Sequence, residues 1–391
     1  MMELMKKFLL EREKAGTLRK LSPLIRLGQG WVRLLDFEDE LQDFSSNDYL
    51  ALSEHPEVIA ASRKYLEMFG AGAGAARLMS GDMEINHLLE QEIAPFKSKE
   101  AALTFGSGYL ANTGIIPALA GRGDLIITDR LSHASIYDGC MLSGARTIRF
   151  RHNDLEHLEQ ILSEKRSQFN NVLVVVESIY SMDGDRCPLA DLVGLKKRYG
   201  FLLMVDEAHA TGLYGPSGSG IIEEDNVSDG VDIAMGTFGK ALGSYGAYAA
   251  ASQEIVHFLV NKARTFIYST ALPPAVVGAN LAALYLVKSE PQLRLDLHQK
   301  VAFFKKQLRK NGIKDDPGPS QIIPIMIGDS AKSLAIAEEL QKNHIYVKAV
   351  RPPTVPEGSA RLRFSITRYH QESHLKKCAK SLAGALHKAS V

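Results

Sequence analysis

Cysteine is scarce in this chain. The three present, Cys140, Cys187 and Cys378, are too few and too scattered among 391 residues for a disulfide framework or a metal-ligand spacing. The odd count points the same way, to reduced thiols in a cytoplasmic setting. Long apolar runs are missing too: no stretch approaches the roughly 18 residues that a membrane span needs. Charge of one sign is not in excess, with Lys+Arg 46 against Asp+Glu 45. No global field therefore invites nucleic acid or an anionic membrane surface. Internal repeats, low-complexity tracts and a Pro- or Gly-rich linker are also absent. The opening "MMELMKKFLLEREKAG" has an apolar patch cut short by Glu11. That patch is too brief for a secretory leader and is expected to form an amphipathic helix.

What the chain does have is alternation. Short apolar runs at 101–105, 125–129, 172–178, 201–208, 231–237 and 246–252 read as buried strands. Helical patterns such as "LEHLEQILSEKR" and "LADLVGLKKRYG" lie between them. Near-continuous apolar strands separated by helices predict an α/β fold with a mostly parallel sheet covered on both faces. Ligands of such sheets gather at the carboxyl ends of the strands. Ser178, Asp206, His209, Thr237 and Lys240 all follow strand ends. A long helical region from about 274 to 310, two short strands ("QIIPIMIG", "RLRFSI") and a last amphipathic helix predict a smaller α+β domain. The expected division is an N-terminal arm over 1–45, a large domain over 46–285 and a small one over 286–391.

Several motifs invite competing readings. "VDEAHATG" (205–212) could be the acidic motif of a nucleotide-driven helicase, but that chemistry needs an earlier phosphate loop. The nearest approach, "AMGTFGKA", has Ala234 and Ala241 in place of the glycine and the hydroxyl, and it comes later in the chain. "GAGAGAAR" (70–77) follows a helical pattern rather than a strand, which excludes a dinucleotide loop. "TFGSGYLANTG" (104–114) sets a strand, a glycine turn and a helix start in order, which suits a phosphate. "GTFGKALGSYG" (236–246) surrounds Lys240 with residues of almost no bulk. A carboxylate that keeps a pyridine nitrogen protonated, together with a Schiff-base lysine, is what a pyridoxal-phosphate enzyme requires. Asp206 and Lys240, on successive strand ends, are candidates for those roles. Asp206 as a mere helix cap, His133 as a structural histidine and Ser181 as part of an Asp183-Gly184 turn are the plainer readings.

Taken together, "FSSNDYL", "SGYLAN", "SHAS", "SMDGD", "VDEAHATG", "GTFGKALG" and "RPPTVPEGSARLR" occur in that order over nearly the whole chain. The set resembles the α-oxoamine synthases, pyridoxal-phosphate enzymes of fold type I (aspartate-aminotransferase-like). The resemblance implies that Lys240 carries the cofactor and moves the proton at Cα, and that Asp206 pairs with the ring nitrogen. It places His209 and Ser181 near the phenolic oxygen and stacks His133 on the ring. Gly108, Tyr109 and Thr237 would hold the cofactor and its phosphate, with Thr270 arriving from a second subunit of a homodimer. Arg351 and Arg363 would meet the amino-acid carboxylate, Arg19 and Thr354 the acyl substrate, and Asn47 would line the pocket. "RPPTVPEGSARLR" looks most like the biotin-pathway branch, which implies condensation of L-alanine with a pimeloyl thioester of CoA or acyl carrier protein. A synthase using glycine or serine, such as a glycine C-acetyltransferase, is the alternative within the family. A non-catalytic partner subunit is the alternative outside it, although such a chain could dispense with Lys240.

Overall fold

The structure is a computed structural model that describes residues 1–313 and 318–390. The chain folds into two compact units. One comprises Leu52–Ser181 and Asp185–Arg294; the other comprises Met1–Ala51, Met182–Gly184 and Leu295–Val391.

The first unit is built on a seven-stranded sheet. Its strands in chain order are β1 (Ala101–Phe105), β2 (Leu125–Asp129), β3 (Arg146–Phe150), β4 (Val172–Glu177), β5 (Leu202–Asp206), β6 (Ile233–Thr237) and β7 (Ala247–Ala251). Their spatial order is β1-β7-β6-β5-β4-β2-β3. All neighbours are parallel except at β7, which runs antiparallel to both β1 and β6. β2, β4, β6 and β7 are buried at every residue, as expected for strands covered on both faces. Leu173, Val175, Met204, Ile233 and Ala249 pack with Ala111, Ile115 and Ile116 of helix α1 (Gly108–Leu119) in one core cluster. Each large side chain fully buried there contributes about 1.5–3 kcal/mol.

β3 is absent from the sequence expectation. Its pattern, "RTIRF", leaves Arg146 and Arg149 exposed on the sheet edge, so it carries no apolar run to read. The expected long helix from 274 is two helices, Pro274–Ser289 and Gln292–Lys310, interrupted at Pro291, where a proline lacks the N–H that helix continuation needs.

The second unit holds two small sheets. One orders Leu24–Gly28, Trp31–Leu34, Leu41–Asp43 and Ile345–Tyr346; the other orders Ile322–Gly328, Ala360–Ser365 and Ala349–Val350. Ala360–Ser365 is buried throughout. The helices Ser330–Gln341 and Glu372–Ser390 pack against one another. The N-terminal helix, Met2–Lys14, forms as expected, but none of its residues is buried.

Candidate active site

The carboxyl ends of β4, β5 and β6 bring four functional groups together. β5 ends at Asp206, in register with Glu177 at the end of β4 and with Met235 on β6. Three residues past β6, Lys240 lies in a tight loop leading to β7. The loop is fixed by its own backbone: Phe238 N–H donates to Gly246 O (2.9 Å), Ser244 N–H to Phe238 O (2.9 Å) and Gly243 N–H to Lys240 O (2.9 Å). The Thr237 hydroxyl donates to Gly246 O at 2.8 Å and accepts from Gly239 N–H at 3.1 Å. A Cβ at Gly243, where φ is +65°, would stand 2.2 Å from Ser53 N, so bulk is excluded on that side. The small residues of "GTFGKALGSYG" thus let two turns of backbone close around one lysine. Lys240 Nζ lies 2.9 Å from His209 Nε2, and His209 itself is buried.

"VDEAHATG" divides between two surroundings. The Asp206 carboxylate accepts from Ala208 N–H at 2.9 Å and from Asn112 Nδ2 at 3.0 Å. Glu207 instead pairs with Lys97, both side chains fully buried, and accepts from Ile222 N–H at 3.0 Å. Lys97 Nζ also donates to Ser219 O at 2.5 Å. Burial works against the charge on Lys97, yet the Glu207 carboxylate outweighs it and raises the lysine above its ordinary value.

His133 caps helix α2 (Ala134–Ser143), its Nδ1 accepting from Ser135 N–H at 3.2 Å. Its own N–H donates to Glu177 Oε1 at 2.5 Å. Glu177 is one residue that the sequence reading passes over. Burial, reinforced by the Asp206 charge, pushes its carboxyl up to about 8. A glutamate ending the apolar run "VLVVVE" was the available signal. Asn112 and Ser135 are also passed over, although both lie inside quoted motifs.

Ser107 caps α1, accepting from Leu110 N–H at 3.2 Å. Among the described residues the N–H groups of Gly108 and Tyr109 have no hydrogen-bond partner. A Cβ at Gly108 would meet its first neighbour, Met235 Cε, only at 4.0 Å. Two free donors at the positive end of a 12-residue helix, with open space before them, suit a phosphate. The Tyr109 hydroxyl donates to Asp138. Ser181 is buried beyond the end of β4. Thr270 is exposed and bridges to Ala76; among the described residues no hydrogen bond joins it to the Lys240 set.

The remaining candidates belong to the second unit. Arg363 Nη1 donates to Asn47 Oδ1 at 3.2 Å and to Ser365 Oγ at 2.8 Å, and Nη2 donates to Tyr49 Oη at 3.4 Å. Arg19 Nη2 donates to the Thr354 hydroxyl at 2.8 Å. Arg351 donates to Gly16 O, and burial with the nearby Arg19 charge lowers its pKa.

Similarity to known proteins shows the family and the fold. The family profile "Aminotransferase class I and II" matches residues 39–382. An 8-amino-7-oxononanoate synthase of Geotalea daltonii is 47% identical over 376 residues, 96% of this chain and 95% of that one. One from Geobacter sulfurreducens is 48% identical over 340 residues, 86% of this chain and 87% of that one. Among solved structures, a serine palmitoyltransferase of Sphingomonas wittichii matches with TM-score 0.92 at 31% identity, covering 98% of this chain and 97% of that one. A serine palmitoyltransferase solved with PLP as the internal aldimine matches with TM-score 0.93 at 28% identity, covering 100% of this chain and 99% of that one. An 8-amino-7-oxononanoate synthase of Francisella tularensis matches with TM-score 0.78 at 27% identity, covering 90% of this chain and 99% of that one.

Proposed function

The chain belongs to the class I and II aminotransferase family, and we propose that within it the protein acts as a pyridoxal-phosphate-dependent 8-amino-7-oxononanoate synthase. The net reaction joins L-alanine to a pimeloyl thioester. The Cα–H bond breaks and Cα forms a new C–C bond to the thioester carbonyl carbon, whose C–S bond breaks so that the carrier leaves as the protonated thiol. The carboxylate then departs as CO2, and Cα takes up a proton in its place. The observation that carries the reading is a lysine amine, partnered by a buried histidine, beside a strand end that presents a carboxylate.

The residues present fit the cofactor. The free N–H groups of Gly108 and Tyr109 would hold its phosphate with Thr237, Asp206 its ring nitrogen, His209 and Ser181 its phenolic oxygen, and Lys240 its aldehyde carbon. When bound, pyridoxal phosphate supplies an electron sink for a carbanion at the amino-acid Cα. Lys240 removes and returns the proton at that carbon, and its 2.9 Å contact to His209 Nε2 gives the proton a neighbouring acceptor. Asn112 and Ala208 N–H hold the Asp206 carboxylate in one orientation. His133 would lie on the ring face, anchored through its main chain by Glu177. Arg351 and Arg363 would bind the alanine carboxylate, where a planar guanidinium suits two oxygens. Arg19, Thr354 and Asn47 would serve the pimeloyl chain and the pocket wall.

Purified protein should absorb near 420 nm, and borohydride should leave a pyridoxyl label on the peptide containing Lys240. Lys240→Ala should lose band, label and turnover, the last by at least about 10²–10⁴-fold. A label elsewhere, or retained turnover, contradicts the mechanism. Faster thiol release with glycine and acetyl-CoA than with alanine and pimeloyl-CoA contradicts the substrate. The homodimer is part of the same proposal, supported by exposed Leu78, Met79 and Tyr268 flanking the Ala76–Thr270 bridge. Light scattering at twice the chain mass would bear it out. Carriage of the pimeloyl group by acyl carrier protein is tested by comparing the two donors. No helix among the described residues is long and apolar enough to cross a membrane.

A further inference from the structure

A primary amide has two donor hydrogens on nitrogen and acceptor capacity only on oxygen. Asn112, on the second turn of α1 and buried, places Nδ2 3.0 Å from Asp206 Oδ2 and 2.9 Å from Ser135 Oγ. Turning the amide over would set its oxygen against a carboxylate oxygen, so the NH2 group must face both partners, one hydrogen to each. The Ser135 oxygen is then an acceptor toward Asn112, and its own hydrogen is available elsewhere. His133 Nδ1 lies 2.7 Å away. Ser135 N–H also points at that nitrogen, at 3.2 Å. Two donors converge on one ring nitrogen, which therefore cannot carry a proton of its own.

We propose that Asn112 and Ser135 are positioning residues that hold His133 as its neutral tautomer, protonated at Nε2, and tie it by hydrogen bonds to the Asp206 carboxylate. The charged groups around the ring divide. Asp206 and Asp138 favour its cation and Lys240 disfavours it, while Glu177 holds its main chain. Desolvation acts first and lowers the ring's pKa from its ordinary value, in the same sense as the two donors. The Asn112 oxygen is buried and has no partner among the described residues. The polar contribution of this side chain is thus donation alone: a leucine of similar volume would remove the orphan oxygen but would leave Asp206 Oδ2 and Ser135 Oγ without that donor.

The importance of this tautomer for catalysis rests on the proposed function; the tautomer itself does not. Full-length protein labelled with 15N-histidine is studied by solid-state NMR, both loaded with pyridoxal phosphate and stripped of it, with His133→Gln assigning the signals. At pH 7, Nδ1 should resonate as an unprotonated nitrogen and Nε2 as a protonated one in both samples. Ser135→Ala and Asn112→Leu should each raise the titration midpoint of the ring, a change of about threefold to tenfold in its protonation equilibrium, the scale of one ordinary hydrogen bond. Their double variant should gain little more, because both break one chain of bonds. Ser135→Thr, which keeps the hydroxyl, should keep the parent midpoint; thermal unfolding identifies any variant that fails to fold. A proton on Nδ1 at pH 7 in the parent protein overturns the proposal, and so do folded Ser135→Ala and Asn112→Leu variants with the parent midpoint. If no 420 nm band forms on adding the cofactor, the functional reading fails, while the stripped sample still decides the tautomer.

Discussion

Asp206 and Glu207 are adjacent in the chain, and alternation along a strand end sends their carboxylates to different chemistry. Asp206 faces the cluster of Lys240, His133 and Asn112, held by one backbone and one amide donor. Glu207 goes to a dry pocket with Lys97, where both side chains have no exposed area. Breaking such a pair by removing one member leaves an uncompensated buried charge, which costs about 3–5 kcal/mol. Lys97→Met should lower the denaturant midpoint accordingly, and adding Glu207→Leu should recover much of the loss. If the single and double variants unfold together, the pair is not what holds this pocket. Of the motif "VDEAHATG", the sequence makes the site acid legible through its strand-end position. It leaves Glu207 without a role, because its partner stands 110 residues earlier in the chain.

Elements set where these residues can meet. His152, just past β3, bridges Asp129 at the end of β2 (2.9 Å) and Asp185 (2.6 Å). Burial opposes its charge, but the two carboxylates outweigh that and push the imidazole up to about 10. A group raised in the folded state stabilises fully below its unfolded pKa of about 6.5 and loses that contribution as pH climbs through the folded value. The stability deficit of His152→Leu should therefore be greatest near pH 6 and shrink toward pH 10, measured by thermal unfolding across that window. A deficit that does not change with pH would mean the imidazole is uncharged. Six of the seven strands of the large sheet are legible as apolar runs, since burial on both faces writes itself into composition. β3 is not, because it is an edge strand with only its last residue buried and two of its five positions given to exposed arginine. The hairpin at Leu24–Leu34 escapes although its first strand, LIRLG, is mostly apolar: four of its five residues are exposed, so its composition does not report burial. Asn112 and Ser135 escape for another: nothing in a sequence says that two helices will set an amide beside a hydroxyl.

At the scale of the whole molecule, Cys140, Cys187 and Cys378 are all buried and unpaired, one each in α2, in the segment after β4 and in the last helix. Burial raises all three thiols above their ordinary value, Cys140 to about 11. Ellman's reagent should react with none of them quickly in native protein and with three after denaturation. A fast native equivalent would place one at the surface.

β7 has a temporal consequence as well. β1 is a border strand whose hydrogen-bonded neighbour, β7, is made about 140 residues later, with five strands threaded in between. On a translating ribosome, the segment 101–105 must wait with its peptide groups unmatched until residue 251 emerges. A nascent polypeptide stopped near residue 240 would carry the lysine but lack the strand that seals both β1 and β6. Such fragments should clump or be degraded, whereas those extended past 251 should begin to resist protease.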